Sequence, residues 1–313
     1  MTSQRDAFIE RLFERAVDDK DIYLISVDMG APSLDRWRAE LPEQFFAAGI
    51  SEQNAVNFAA GLAGAGKKVY IYFMAAWAAR CFEQIRYSCA LADKPITVLG
   101  NGVGLGYAPA GPAHYPTEDI AYMRSICGVQ IISPANSEVA RKYVDITCDK
   151  PSLTYMRMER TSASELADVK YSEEDLQNGF KLIQHQDGPA NSPSVCIVSS
   201  GYMLGRAVTA CNMIKDASVA VVDVFKSNPL DNAGLKDLLA KYEYIVTLEE
   251  QTLTAGFGSA ICEMLADFNC HRPMLRKGLP NRFIFENASR DYLLDNNGLS
   301  VDNIVNDIRK FIK

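Results

Sequence analysis

"GISEQNAVNFAAGLAGAGKKVYIYFMAAW" occupies residues 49–77. Its first residues close an extended segment, "EQFFAAGI" (43–50). A helix is predicted from about Gln53 to Ala65, through the small-residue run Ala55–Gly66. The apolar "KKVYIYFM" (67–74) then reads as a buried strand. Strand, helix, strand in that order is the unit of a parallel sheet. One residue stands out in it. Glu52 sits where the strand ends and the helix begins, so it is either a first-turn charge favoured by the helix dipole or a working proton carrier.

The same rhythm extends in both directions. Upstream, Ser3 can cap an amphipathic helix carrying Phe8, Ile9, Leu12, Phe13, Ala16 and Val17, and "IYLISVDM" (22–29) is a strand. Downstream, the helical "AARCFEQIRYSCALAD" precedes the strands "KPITVLGNG" (94–102) and "GVQIISPAN" (128–136), then a helix and the extended "PSLTYMRM". The polar stretches "ERTSASELADVKYSEEDLQNG" and "HQDGPANSP" interrupt the pattern, which restarts at "SVCIVSSG" and ends in the amphipathic "SVDNIVNDIRKFIK". The expected fold class is α/β: two three-layer α/β/α domains, at 1–160 and 193–313, joined by a linker at 161–192. In such sheets ligands sit at the C-terminal ends of strands. Asp28, Glu52, the Trp77 region, His114 and Glu249–Glu250 all fall there.

Composition narrows the function. The 313 residues are 48% hydrophobic and 23% charged, with a net charge of −7, which argues against nucleic-acid and membrane surfaces. No apolar run reaches the roughly 18 residues of a membrane span, and the charged N-terminus lacks the core of a secretion signal. Eight cysteines are scattered without a C-x-x-C pair, so they read as reduced core residues of a cytoplasmic protein. With three histidines and only the Cys270–His271 dipeptide, a zinc site is not expected.

The stretch at 49–77, followed by "AGPAHYPTEDIAYMRSI" and "VQIISPANSEVA", resembles the pyrimidine-binding domain of transketolases. "SGYMLGRAV", "VVDVFKSNPLD", "TLEEQTLTAGFGSAICEML" and "GLPNRFIFE" resemble the transketolase C-terminal domain. Each motif is weak alone, but their order holds over nearly the whole chain. One expected mark is missing. Transketolases usually open with a diphosphate-binding domain carrying a G-D-G and a later Asn, which supplies the Mg²⁺ ligands. No G-D-G occurs here. The resemblance therefore implies half of a split transketolase, inert alone. It also implies a partner chain bringing Mg²⁺ and the diphosphate grip, and an α2β2 heterotetramer.

The resemblance also implies roles. Thiamine diphosphate would be the cofactor, and Glu52 would hold the pyrimidine N1′, favouring the imino form that takes the thiazolium proton. That task needs an acid in a dry pocket, which Phe46–Ile50 and the small residues after Glu52 would supply. The two-carbon unit of a sugar-type donor would then pass to an aldehyde, the cofactor carrying the hard step. Trp77 stands where the family stacks an aromatic on the pyrimidine, with Phe73 and Phe82 as fallbacks. Asp28 matches an acid near the cofactor, against a plain loop cap. His114 matches the histidine that meets the reacting carbonyl, against an ordinary surface residue. Arg80 would grip a carboxylate or phosphate, against an exposed helix arginine. Arg157 or Arg160 would bind a substrate phosphate. No metal ligand is expected in this chain.

Ala110 replaces the family's hydroxyl-reading Asp, which leaves the donor open. "GVGLGY" (102–107) does not open a helix, so it reads as a substrate-side loop, not a nucleotide cradle. Glu249–Glu250 read as structural residues at a dimer contact. Three rivals remain: the β-subunit of a 2-oxo acid dehydrogenase E1, a 1-deoxyxylulose-phosphate-synthase-like carboligase, and a scaffold that has lost its chemistry.

Overall fold

The computed structural model describes residues 3–28, 30–159, 166–230 and 232–313. The chain divides into two compact units, Met1–Val103 with Tyr122–Ser162, and Gly104–Ala121 with Ala163–Lys313. The segment 104–121, expected inside the first domain, thus belongs to the second unit.

In the first unit, β1 (Ile22–Val27), β2 (Phe45–Gly49), β3 (Lys68–Met74), β4 (Ile96–Asn101), β5 (Gln130–Ile132) and β6 (Thr154–Met158) pair in the order β5–β6–β4–β3–β1–β2. All these pairings are parallel. Central strands such as β4 are buried on both faces, which is why they read as unbroken apolar runs. The helix Gln4–Asp18 is capped by Ser3, whose Oγ accepts from the Asp6 N–H. Its apolar face, with Phe8, Ile9, Leu12 and Phe13, is buried. Trp37 closes this layer edge-on to Phe13, ring centroids 5.7 Å apart.

Because β1 lies between β2 and β3, the chain leaves it in opposite directions for its next two strands. That is a topological switch point, and the crevice at the C-terminal ends there is the ordinary ligand position in this fold class.

The second unit holds β7 (Lys181–Gln186), β8 (Ser194–Ser199), β9 (Ser218–Asp223), β11 (Tyr244–Thr252) and β12 (Met274–Leu279) in one sheet, ordered β12–β11–β8–β9–β7. The short β10 (Lys226–Asn228) lies outside it. Part of the expected linker is ordered sheet and helix. Ser172 and Asp175 form a capping box that starts the helix Glu173–Asn178, and β7 pairs antiparallel with β9. β7 is an edge strand with mixed burial, so its sequence stays polar and reads as a connection. Residues 161–165 of that linker, and Arg160, lie outside the described residues.

Glu249 and Glu250, read from the sequence as structural residues at a dimer contact, are buried within this unit. Glu249 accepts from the Gly258 N–H at 2.9 Å, and Glu250 pairs with Arg290.

Asp223, at the end of β9, is fully buried and accepts a hydrogen bond from Tyr171 Oη at 2.8 Å. Burial pushes its carboxyl up from 3.8 to about 8, against the smaller opposing effect of that bond. A folded-state value above the unfolded one means that the folded state holds the extra proton. This contribution to stability is complete below the unfolded value and is lost as pH rises through about 8. The Tm of Asp223→Asn minus that of the parent should therefore climb between about pH 5 and about pH 8. A difference that stays flat across that range would show that the carboxyl is ionised throughout.

Candidate active site

β1, β2 and β3 are neighbours, so the residues just beyond them share one rim. Asp28 follows β1, exposed, its N–H donating to the Gly49 carbonyl at 3.1 Å. Glu52 follows β2 and opens the helix Glu52–Gly64. Ser51 Oγ donates to the Ala48 carbonyl at 2.6 Å and does not cap that helix. The first turn therefore keeps its bare N–H groups beside the carboxylate, where the helix dipole favours negative charge.

Trp77 and Arg80 follow β3 on the tight turn Ala75–Cys81, a 3₁₀ helix. Side chains three apart eclipse one another in that geometry. Ala75, Ala78 and Cys81 accordingly share the buried side. Trp77 and Arg80 share another, with the guanidinium carbon 4.5 Å from the indole centroid. The same guanidinium reaches Glu52, Nη1 to Oε2 at 3.6 Å. Glu52 is only 6% exposed, whereas the Arg80 side chain is 53% exposed.

The dryness around Glu52 has another source than expected. β2 is the edge strand, and Ile50 beyond it is 77% exposed, so Ile50 walls no pocket within this chain. Phe46 packs instead against Tyr23 and Phe58. Cys81 is fully buried, and the Glu52 charge bears on it. Burial, then the Glu52 charge, push its thiol up to about 12, and Arg80 pulls it partly back. Sequence reading missed Cys81, although its three-residue spacing from Ala78 carried the signal.

Phe82 is partly buried and sits edge-on to Tyr122, centroids 6.3 Å apart. Phe73 is a core residue of β3. Arg157, on β6, is 4% exposed and donates to Ser133 Oγ at 3.0 Å. His114 ends the short turn Pro112–His114, partly exposed, in the second unit. Ala110 is exposed on the turn before it. Among the described residues, no group of three or more His, Cys, Asp or Glu side chains could hold a metal ion. Among them, too, no helix is long and apolar enough to cross a membrane.

Comparison with known proteins gives this geometry a context. The model of the transketolase pyrimidine-binding domain matches residues 1–165, and that of the transketolase C-terminal domain matches 189–304. A subunit of apulose-4-phosphate transketolase from Phocaeicola vulgatus is 29% identical, covering 100% of this chain and 98% of the relative. A 1-deoxy-D-xylulose-5-phosphate synthase from Cupriavidus taiwanensis is 30% identical over 97% of this chain, which spans only 47% of that synthase. A solved structure described as a split gene transketolase, inactive beta4 tetramer, superposes with a TM-score of 0.85 at 26% identity, covering 100% of this chain and 99% of its own.

The contact between half-exposed Arg80 and buried Glu52 is long and screened from the Arg80 side, so it contributes little to stability. Urea unfolding of Arg80→Ala should show a change of about 1 kcal/mol or less. A loss of roughly 3 kcal/mol, the range of a broken buried pair, would make Arg80 a structural residue.

Proposed function

This chain belongs to the transketolase family, and on that premise we propose that it is the pyrimidine-side subunit of a split transketolase. The family implies thiamine diphosphate. When bound, that cofactor supplies the carbon nucleophile that accepts and passes on a two-carbon unit. The residues here fit its aminopyrimidine end. Glu52 is a buried carboxylate at the switch-point rim, and Trp77 offers an aromatic surface beside it.

The buried Glu52 carries this reading. An acid removed from water can exchange a proton with a ring nitrogen without losing it to solvent. Trp77 would orient the ring by stacking, and Asp28 and Phe82 are the other residues proposed to hold the cofactor. Arg80, half exposed, exchanges Glu52 for an anionic group of the substrate, and His114 donates to its carbonyl oxygen. Arg157, whose guanidinium donates to Ser133 Oγ, remains the proposed substrate-phosphate arginine.

A partner is supported by an unfinished face on the first unit. The segment 53–66 carries no charge. Phe58, Tyr87 and Leu91 are exposed, and Ser88 Oγ donates across to Asn57 Oδ1 at 2.7 Å. An exposed apolar face of this kind marks an interaction site. The proposed occupant is the chain with the diphosphate-binding domain, in an α2β2 assembly in the cytoplasm. The split-gene relative is described as inactive in its beta4 form, which supports inertness without that chain. The donor proposed is a sugar phosphate, as the name of the Phocaeicola relative supports. Arg80, with Ala110 in place of an acid, favours a second reading, a 2-oxo acid donor as in deoxyxylulose-phosphate synthesis.

Reconstitution separates these readings from an inert scaffold. The isolated chain should show no transfer activity, and the complex should. Glu52→Gln should lower kcat of the complex by about 10²–10⁴-fold with assembly intact by size-exclusion chromatography. Parent-like turnover in that variant would remove Glu52 from the chemistry.

A further inference from the structure

The loop "GVGLGY" has no role in the site described above, yet it begins the segment that carries His114. Its entry is pressed against a charge. Gly104 has φ +56°, and a Cβ there would lie 2.5 Å from Oε2 and 2.7 Å from Cδ of Glu250. No other residue type fits at 104 without moving that carboxylate. The carboxylate is itself held. Arg290 Nε donates to Oε1 at 2.8 Å, and Nη2 donates to Oε2. The two side chains are 5% and 9% exposed. The guanidinium carbon lies 3.7 Å over the Tyr202 ring, which fixes its plane.

The exit of the loop is tied to the same strand. Two residues beyond Glu250 on β11, the Thr252 N–H donates to the Thr117 carbonyl at 2.9 Å. Between the two ties, Leu105, Ala108 and Tyr115 are buried, and Tyr115 Oη donates to the Ala108 carbonyl. His114 stands one residue before Tyr115. One strand therefore lies against both ends of the segment 104–117, and His114 stands three residues before the second tie.

We propose that Glu250, clamped by Arg290, is a positioning residue for His114, and that holding this loop is a task of the C-terminal unit in the reaction. The inference rests on the reading of His114 as the substrate-facing group. Glu250 touches no substrate. It sets where the loop starts, and small displacements of a reacting group are costly in rate.

Two variants test the clamp. Gly104→Ala forces a methyl into the carboxylate, and Glu250→Gln removes its charge. By hydrogen exchange on the full chain, peptides within 104–118 should exchange at least about tenfold faster, while β8, β9 and β11 keep their protection. Should Glu250→Gln fail to fold, Gly104→Ala carries the measurement. In the reconstituted complex, each variant should lower kcat by on the order of 10²-fold with unchanged apparent affinity for thiamine diphosphate. In a His114→Ala background that loss should vanish, since no histidine remains to misplace.

Unchanged exchange in 104–118 overturns the clamp. An undiminished loss in the His114→Ala background overturns the positioning role and leaves His114 itself in place. Full turnover in His114→Ala removes the histidine from the reaction, and the proposal with it, whatever exchange reports.

Discussion

The parallel pairing of β1 with β2 on one side and β3 on the other is the constraint from which the candidate site follows. Hydrogen-bonded neighbours running the same way must end on the same rim. The chain segments after three separate strands are thereby delivered to one crevice, and a carboxylate, an indole and a guanidinium meet there. None of the three needs to be near another in sequence, apart from the turn that stacks Arg80 on Trp77. The meeting is a product of strand order, and the chemistry is a product of which side chains the loops carry.

That rim is also where the first unit is least self-sufficient. β2 is an edge, Ile50 faces solvent, and the helix after Glu52 presents an uncharged surface. An isolated domain would be expected to blunt such an edge with charge. Keeping it bare has a cost in solubility, which the net charge elsewhere offsets. The arrangement makes sense for a surface that becomes interior on assembly. Glu52 is buried while Ile50 is exposed, and the turn Ala75–Cys81 reaches it through Arg80.

The second unit plays a different physical part. Its buried carboxylates are held in place, Glu250 by Arg290 and Glu249 by the Gly258 N–H. A buried pair is weak evidence for stability but a good device for fixing geometry, because a displaced partner leaves an unpaired charge. Asp223 shows the alternative, a carboxyl held by a neutral tyrosine hydroxyl, which burial drives towards its protonated form.

Much of this is legible in the residues. Strand and helix alternation, the restart near 194 and the small-residue helix after Glu52 follow from local periodicity, which a chain cannot hide. The roles proposed for Glu52, Trp77 and Arg80 come instead from the family resemblance, carried by motifs that stand in order along the chain. Edge elements are less legible. β7 and the helix before it read as a linker, since an edge strand with mixed burial lacks the apolar pattern that marks a strand. Ile50 reads as a pocket wall because the sequence does not say that β2 has a neighbour on one side only.

The sequence by itself determined the α/β class, the family resemblance and the acid at position 52. Only the tertiary structure decided that Arg80 lies between Glu52 and Trp77, that Arg157 is buried on Ser133, and that the segment carrying His114 lies against β11. The reason is physical. Periodicity and motif order are properties of neighbouring residues, whereas a contact between residues 104 and 250 or 52 and 80 exists only once strand order has placed them together.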